Sequence, residues 1–323
     1  MQATTATPSA SRTTTATRAF PLKYFVIALA FTGFFWGLAA LGAREVIPAL
    51  PGLSVIGTFG PMVAAAILTA QESGRAGLRS LFGRVVRWRV APLWYAVALL
   101  GPLVIPLGAM VVEVAFLGGR SPNLGVLIGE LPSTLLTILV NAAYMLIFVT
   151  LGEEVGWRGY ALPALQARYS ALVASLILGV VWALWHLPVF FNPEMSYSNL
   201  SFFLFLPFIV LAAVLITWVF NSTGGSVLMA MFFHAVLNTN DVLWKALHEN
   251  SVAPANAAEA AAANAQYYLL STIVMGIAAV VVVLVYGSTN LSRRPRQVLE
   301  ATSDESEPRV QWNQHSRSPD RRA

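Results

Sequence analysis

The chain has 323 residues, of which 57% are hydrophobic and 11% are charged, and its mean hydropathy is +0.66. This composition is more apolar than that of soluble domains, so it favours a multi-pass membrane protein and argues against nucleic-acid binding. The net charge of +5 comes mostly from arginines in the predicted loops. The lack of cysteine excludes disulfides, thiol nucleophiles and cysteine-ligated metals.

Apolar segments long enough to cross a lipid bilayer recur along the chain. We predict about eight of them, at residues 23–42, 54–70, 93–117, 133–154, 171–190, 200–220, 226–240 and 266–287. The first could be read as a signal peptide, but its long apolar core favours a signal anchor. The sequence therefore predicts an all-α, polytopic protein with a membrane domain at 23–290 and a disordered N-terminal tail at 1–22.

The positions of the arginines predict the orientation. The loop after the second segment holds Arg75, Arg79, Arg84, Arg87 and Arg89. Cytoplasmic loops are enriched in basic residues, so we expect this loop and both termini on the cytoplasmic side of the cell membrane. The polar segment 291–323 has few apolar residues, which predicts a disordered cytoplasmic tail.

Ionisable residues within apolar segments are costly in a membrane, which makes them candidates for function. They fall in three places: Glu153, Glu154 and Arg158 after the fourth segment, His186 in the fifth, and His234 with Asn238 in the seventh. Glu154 and Arg158 are four residues apart, a spacing that predicts an ion pair on one helix face. Glu153 must point elsewhere, and His234 shares a face with Asn238.

A glutamate that takes a proton from water, a histidine that holds it, and a histidine with an asparagine that donate to an oxyanion suit amide hydrolysis. Glu153, His186 and His234 also match the three ligands of a catalytic zinc site. We prefer the metal-free interpretation, with no cofactor required, because Asn238 is better suited to donating a hydrogen bond than to ligating zinc. Alternatively, each residue serves only to join helices.

Three motifs occur in order on separate segments: Glu-Glu-x-x-x-Arg at 153–158, an aromatic residue and His at 182–186, and His-x-x-x-Asn at 234–238. This pattern resembles the CPBP family of intramembrane proteases, which includes CAAX prenyl endopeptidases and the bacterial Abi, or bacteriocin-processing, proteins. The resemblance covers about residues 55–245 and implies eight helices around a membrane-embedded, cytoplasm-facing cavity.

By this resemblance Glu153 would activate water, His186 would share that water, and His234 with Asn238 would stabilise the oxyanion. Glu154 and Arg158 would support the site. Trp182 stands where many members have phenylalanine, and we expect it to keep a packing role. The implied partners are a membrane protein or peptide substrate, prenylated or not, and the lipid bilayer.

Two other functions are compatible with the same residues. A proton-coupled transporter would use Glu153 and the histidines as a relay, but its polar residues would be spread over several segments. A non-catalytic scaffold or immunity-type protein would bind a membrane partner without cleaving it. A last expectation concerns depth, because the predicted segments place Glu153 at the inner surface and His186 deeper. Either the fourth helix continues past Glu153 toward Leu162 and the fifth begins nearer Val173, which we expect, or the cavity is cut deep from the cytoplasm.

Overall fold

A computed structural model describes residues 19–119, 124–193, 197, 200–248, 256–300 and 311–312. The first half of the described chain forms α1 (Leu22–Ala43), α2 (Leu53–Thr58), α3 (Gly60–Gly83), α4 (Pro92–Leu100), α5 (Val104–Phe116) and α6 (Leu124–Met145). The second half forms α7 (Leu151–Gly156), α8 (Leu162–Gln166), α9 (Ala171–Trp185), α10 (Leu187–Phe190), α11 (Phe202–Ser222), α12 (Val227–Leu237), α13 (Asn240–His248) and α14 (Ala257–Tyr286). Two short antiparallel strands, β1 (Leu299–Glu300) and β2 (Gln311–Trp312), complete it.

The predicted all-α membrane fold is confirmed, but the predicted count of eight spans is not. Among the described residues, six helices are long and apolar enough to cross a membrane, or seven if α4 and α5 form one span bent by 49°. The segment predicted at 54–70 does not meet this criterion. It is broken at Phe59 between α2 and α3, and α3 soon reaches the polar residues Gln71 and Glu72.

One long helix carries the first motif. From α6 to α8 the chain continues through two π-helical turns, Leu146–Thr150 and Trp157–Ala161, which flank α7 on both sides. The expected extension of the helix past Glu153 to Leu162 is therefore confirmed. The following helix begins at Ala171, close to the expected start, and Ser170 caps it by accepting from the Val173 amide at 3.3 Å.

Glycines let the end of α2 and the start of α3 pack closely against this long helix. A Cβ atom at Gly156 would lie 2.3 Å from the carbonyl carbon of Pro61, and one at Gly152 would lie 2.8 Å from the Thr58 oxygen. No side chain fits at such distances, so small residues are required where α2 and α3 touch the long helix. The contact fixes the rotation and depth of α7, and with them the two glutamates.

Polar contacts tie together one end of the bundle. Asn221 at the end of α11 donates to Gln166 Oε1 at 2.7 Å and to the Asn290 carbonyl at 2.8 Å. Gln166 donates to the Gln297 carbonyl at 2.7 Å, and Arg87 donates to the Gly224 carbonyl. We call this the arginine end, because its connections and flanking segments carry Arg75, Arg79, Arg84, Arg87, Arg89, Arg168, Arg293, Arg294 and Arg296.

The residues after α14 differ from the expected disordered tail beginning at 291. Leu291 and Leu299 are buried, and Arg296 Nε donates to the Gln166 carbonyl at 2.9 Å. Residues 291–300 are therefore an ordered part of the arginine end. Composition underestimated their order because only a few side chains make the contacts. The rest of the predicted tail, apart from 311–312, and the N-terminal tail up to residue 18 lie outside the described residues.

Candidate active site

The first motif splits its two adjacent glutamates between different surroundings. Glu153 and Glu154 both lie on α7 and are both almost fully buried. Successive helical residues point about 100° apart, so the two carboxylates face different neighbours. Glu154 faces Arg158 and α12, whereas Glu153 faces α9 and the cavity described below.

Glu154 is the centre of a buried ionic group. Arg158 Nη1 donates to Glu154 Oε1 at 2.8 Å, which confirms the pair predicted from their spacing. The same oxygen lies 2.8 Å from Nδ1 of His234. Because a carboxylate accepts, Nδ1 of His234 carries the hydrogen of this bond. Glu154 thus holds the His234 ring by one nitrogen and leaves its Nε2 for other contacts.

Trp182 connects the three motifs. Its indole N–H donates to Glu153 Oε2 at 2.6 Å, the one hydrogen bond that Glu153 makes within the described part of the chain. The Arg158 guanidinium lies 4.7 Å from the Trp182 ring, and the His234 ring packs edge-on at 5.0 Å. The expected packing role therefore describes only part of what Trp182 does, since its indole also orients the Glu153 carboxylate. The signal was present in the sequence: an indole is a hydrogen-bond donor, and phenylalanine is not.

His186 sits among aromatic rings at the end of α9. Its Nδ1 lies 2.8 Å from the Trp182 carbonyl oxygen, which can only accept, so Nδ1 is protonated and Nε2 has a free lone pair in the neutral ring. Trp185 and Phe205 pack edge-on against it with centroid distances of 4.7 and 5.1 Å. This cage fixes the ring so that one nitrogen remains to act as an acceptor.

Asn238 ends α12, one turn after His234, as the sequence spacing predicts. Within the described residues its side chain makes one weak contact, from Nδ2 to the Met145 sulfur at 4.0 Å. An amide with so little holding it has donor capacity left for a bound molecule.

A cavity of about 920 Å³ brings the predicted residues together. Glu153, His186, His234 and Asn238 all line it, as does Trp182. Tyr197, in the connection between α10 and α11, lines it as well. Burial raises the pKa of Tyr197 to about 12, so its hydroxyl stays protonated and can donate. The size is within the usual range for ligand sites.

The cavity reaches the end of the bundle opposite the arginine end. Its lining includes Asp241 and Lys245, an ion pair at 3.0 Å whose side chains are 50% and 70% exposed. None of its lining residues belongs to the described connections of the arginine end. The predicted cytoplasmic arginine loop and the predicted cytoplasm-facing cavity therefore cannot both hold, because the two features lie at opposite ends.

The three candidate zinc ligands do not form a compact set in this conformation. Among the described residues, no three His, Asp or Glu side chains are grouped closely enough to hold a metal ion. Glu153 is hydrogen-bonded to Trp182, His234 is held by Glu154, and His186 faces the Trp182 carbonyl. The donor set present does not fit a three-ligand zinc site without movement of these side chains.

Comparison with known proteins agrees with the motifs. Residues 135–240 match the family model described as type II CAAX prenyl endopeptidase Rce1-like. This region contains every predicted site residue. The chain is also 29% identical over 245 residues to CAAX prenyl protease 2 from Methanococcus maripaludis, covering 69% of this chain and 82% of that protein. Together, the family model and this relative support the chain as a member of the CPBP family, which includes the type II CAAX prenyl endopeptidases.

Proposed function

We propose that the protein is an intramembrane endopeptidase that hydrolyses a peptide bond of a membrane-associated protein or peptide, using water activated by Glu153. The observation that carries this proposal is the convergence of Glu153, His186, His234 and Asn238 on one cavity from three separate helices. A relay for proton transport would need polar groups distributed across the membrane, whereas these residues all line one cavity.

Glu153 is placed to act as the general base. Oε2 is held by the Trp182 N–H, while Oε1 has no hydrogen-bond partner within the described residues. In the reaction Glu153 accepts a proton from water as the water oxygen bonds to the substrate carbonyl carbon. The same proton then passes to the amide nitrogen as the C–N bond breaks, which regenerates the carboxylate and releases an acid and an amine.

His186 is suited to hold the attacking water. With Nδ1 bonded to the Trp182 carbonyl, the Nε2 lone pair of the neutral ring accepts one water hydrogen. The other hydrogen is directed to Glu153. Two acceptors at fixed positions orient the water oxygen toward the substrate, which lowers the entropic part of the barrier.

His234 and Asn238 are suited to stabilise the oxyanion. The Asn238 amide is a donor with spare capacity, and His234 can donate from Nε2 when both ring nitrogens are protonated. Glu154 holds the ring at Nδ1, and Arg158 in turn fixes the position of Glu154. Losing one oxyanion donor typically reduces turnover by about 10²–10³.

The proposal is tested by incubating purified, reconstituted protein with a panel of membrane-anchored peptides and identifying products by mass spectrometry. We expect cleavage by the wild-type protein and a large loss for His234→Ala, with the fold retained. If the wild-type protein cleaves none of the peptides but captures one of them stably, the scaffold or immunity-type function is favoured instead.

A further inference from the structure

Helix α1 lies outside the region matched by the family model and carries none of the predicted site residues, yet it packs against the wall of the site. Trp185, which precedes His186 in the sequence, is buried and packs against three rings. Its ring centroid is 4.4 Å from that of Trp36 in α1, 5.8 Å from that of Trp157 and 4.7 Å from that of His186. Trp36 itself lines the cavity. The position of the His186 ring therefore depends on where Trp185 is held.

Thr32 holds Trp185 from α1. The Trp185 indole N–H donates to Thr32 Oγ1 at 2.8 Å, and the Thr32 hydroxyl in turn donates to the Gly57 carbonyl oxygen of α2 at 2.7 Å. Thr32 is only 1% exposed, so water does not compete for either bond. A hydroxyl has one hydrogen to donate and lone pairs that accept, and Thr32 uses both capacities here. Through these two directional bonds, Thr32 joins α1 to α9 and to α2.

The one hydroxyl hydrogen of Thr32 is directed to a different helix. Threonines within helices can instead donate to the carbonyl four residues earlier, as Thr217 does in α11 at 2.7 Å and Thr272 does in α14 at 2.6 Å. Beside Thr32, Gly60 lets the start of α3 approach closely, because a Cβ atom at Gly60 would lie 2.2 Å from Thr32 Oγ1 and 2.8 Å from the Ala28 carbonyl oxygen. The Thr32 side chain is therefore enclosed between helices and makes its bonds across them.

The same short helix, α2, also contacts the long helix that carries Glu153. Oγ1 of Thr58, the last residue of α2, lies 3.1 Å from the Phe148 carbonyl oxygen in the π-helical turn before α7. Gly152, which precedes Glu153, packs on the Thr58 backbone, as described above. Helix α2 is thus in contact with the Glu153 helix and, through Thr32, with the tryptophan beside the proposed water-holding histidine.

We infer that Thr32 is a positioning residue for the proposed hydrolysis: through Trp185 it sets the His186 ring at the separation from Glu153 that a shared water requires. The inference rests on the proposed peptidase function, in which Glu153 and His186 hold the attacking water between them. Thr32 is not among the residues that line the cavity, so it acts through Trp185 and not by touching water or substrate. A small displacement of a reacting group lowers turnover by a large factor.

The kinetic test compares Thr32→Val with the matched control Thr217→Val. Each substitution removes a buried threonine hydroxyl and keeps the branched shape, but Thr217 donates to a carbonyl of its own helix and does not line the cavity. With a peptide that the wild-type protein cleaves, we expect kcat of Thr32→Val to fall about tenfold or more while KM stays within about twofold. Thr32→Ser keeps the hydroxyl and should restore most of the turnover. Trp185→Phe removes the same hydrogen bond from the other partner and replaces Thr32→Val in this assay if that variant does not fold.

Three kinetic outcomes would overturn the inference: an equal fall in kcat for Thr217→Val, a change in KM alone for Thr32→Val, or no recovery in Thr32→Ser. In each of them the loss would not come from the bond between Thr32 and Trp185.

A second measurement does not depend on catalysis. The chain has four histidines, so the ring signals of protein carrying carbon-13-labelled histidine in detergent can be assigned from single substitutions. Because Trp185 packs edge-on against His186, its ring current contributes to the His186 chemical shift. We expect the His186 signal to move in Thr32→Val and to stay in place in Thr217→Val; an unchanged His186 signal in Thr32→Val would overturn the inference. If that signal moves while the wild-type protein cleaves no peptide, the proposed function fails alone and the placement of His186 by Thr32 is retained.

Discussion

Removing the charge of Arg158 should destabilise the fold strongly. Arg158 and Glu154 are fully buried, their charged atoms are 2.8 Å apart, and the guanidinium packs on Trp182. Arg158→Met keeps much of the side-chain volume but leaves a buried carboxylate whose remaining partner is His234. Breaking a buried ion pair by removing one member typically costs about 3–5 kcal/mol. We expect a loss of this size in the free energy of unfolding.

The chain contains a matched control. Lys245 and Asp241 have the same four-residue spacing and a similar distance of 3.0 Å, but their side chains are largely exposed. Lys245→Met should cost at most about 1 kcal/mol. Adding Glu154→Gln to Arg158→Met should recover part of the loss, because no uncompensated charge then remains. Denaturant unfolding of the wild-type protein and these three variants, purified in detergent, measures the losses. Similar small losses for Arg158→Met and Lys245→Met would refute the buried-pair reasoning.

Three further predictions follow from the same contacts. Trp182→Phe removes a buried hydrogen bond to a carboxylate worth about 1.5–3 kcal/mol, so the free energy of unfolding should fall by about that amount. Turnover of the folded variant should fall at least about tenfold; unchanged turnover would show that this bond does not orient Glu153. Asn221→Ala should cost about 1–3 kcal/mol in the free energy of unfolding by leaving buried amide and carbonyl partners unpaired. Asn141 donates to the Thr137 carbonyl in its own helix, so Asn141→Ala should change that free energy by less than about 0.5 kcal/mol; equal effects would contradict the proposed order of residues 291–300. Turnover should be unchanged by a strong chelator, and metal analysis of active protein should find well below one zinc per chain. Loss of activity that added zinc restores would favour the zinc site formed by Glu153, His186 and His234.

The spacing of residues along the sequence was sufficient to predict the parts of the site that lie within one helix. The Glu154–Arg158 pair and the shared face of His234 and Asn238 follow from the helical repeat, and the structure has both. The continuation of the fourth helix was expected from depth, because the predicted segments placed Glu153 and His186 at different depths. These features depend on few assumptions about how the helices pack.

Contacts between helices were less predictable. His234 bonds to Glu154, and Glu153 bonds to Trp182, because of the way α7 is rotated. Two π-helical turns flank α7, and each adds a residue to the ordinary helical turn. No simple hydrophobic period reveals such turns. The side on which the cavity opens depends on the depths of several helices at once, which is why the sequence alone allowed two incompatible expectations.

The most direct test of the account is the turnover of Glu153→Gln. This substitution keeps the shape of the side chain and can still accept the Trp182 hydrogen bond through its amide oxygen, but it removes the base. We predict a protein with wild-type thermal stability that binds the cleavable peptide, and whose turnover is lower by about 10²–10⁴. Wild-type turnover by the folded variant would contradict the assignment of Glu153 as the group that activates water.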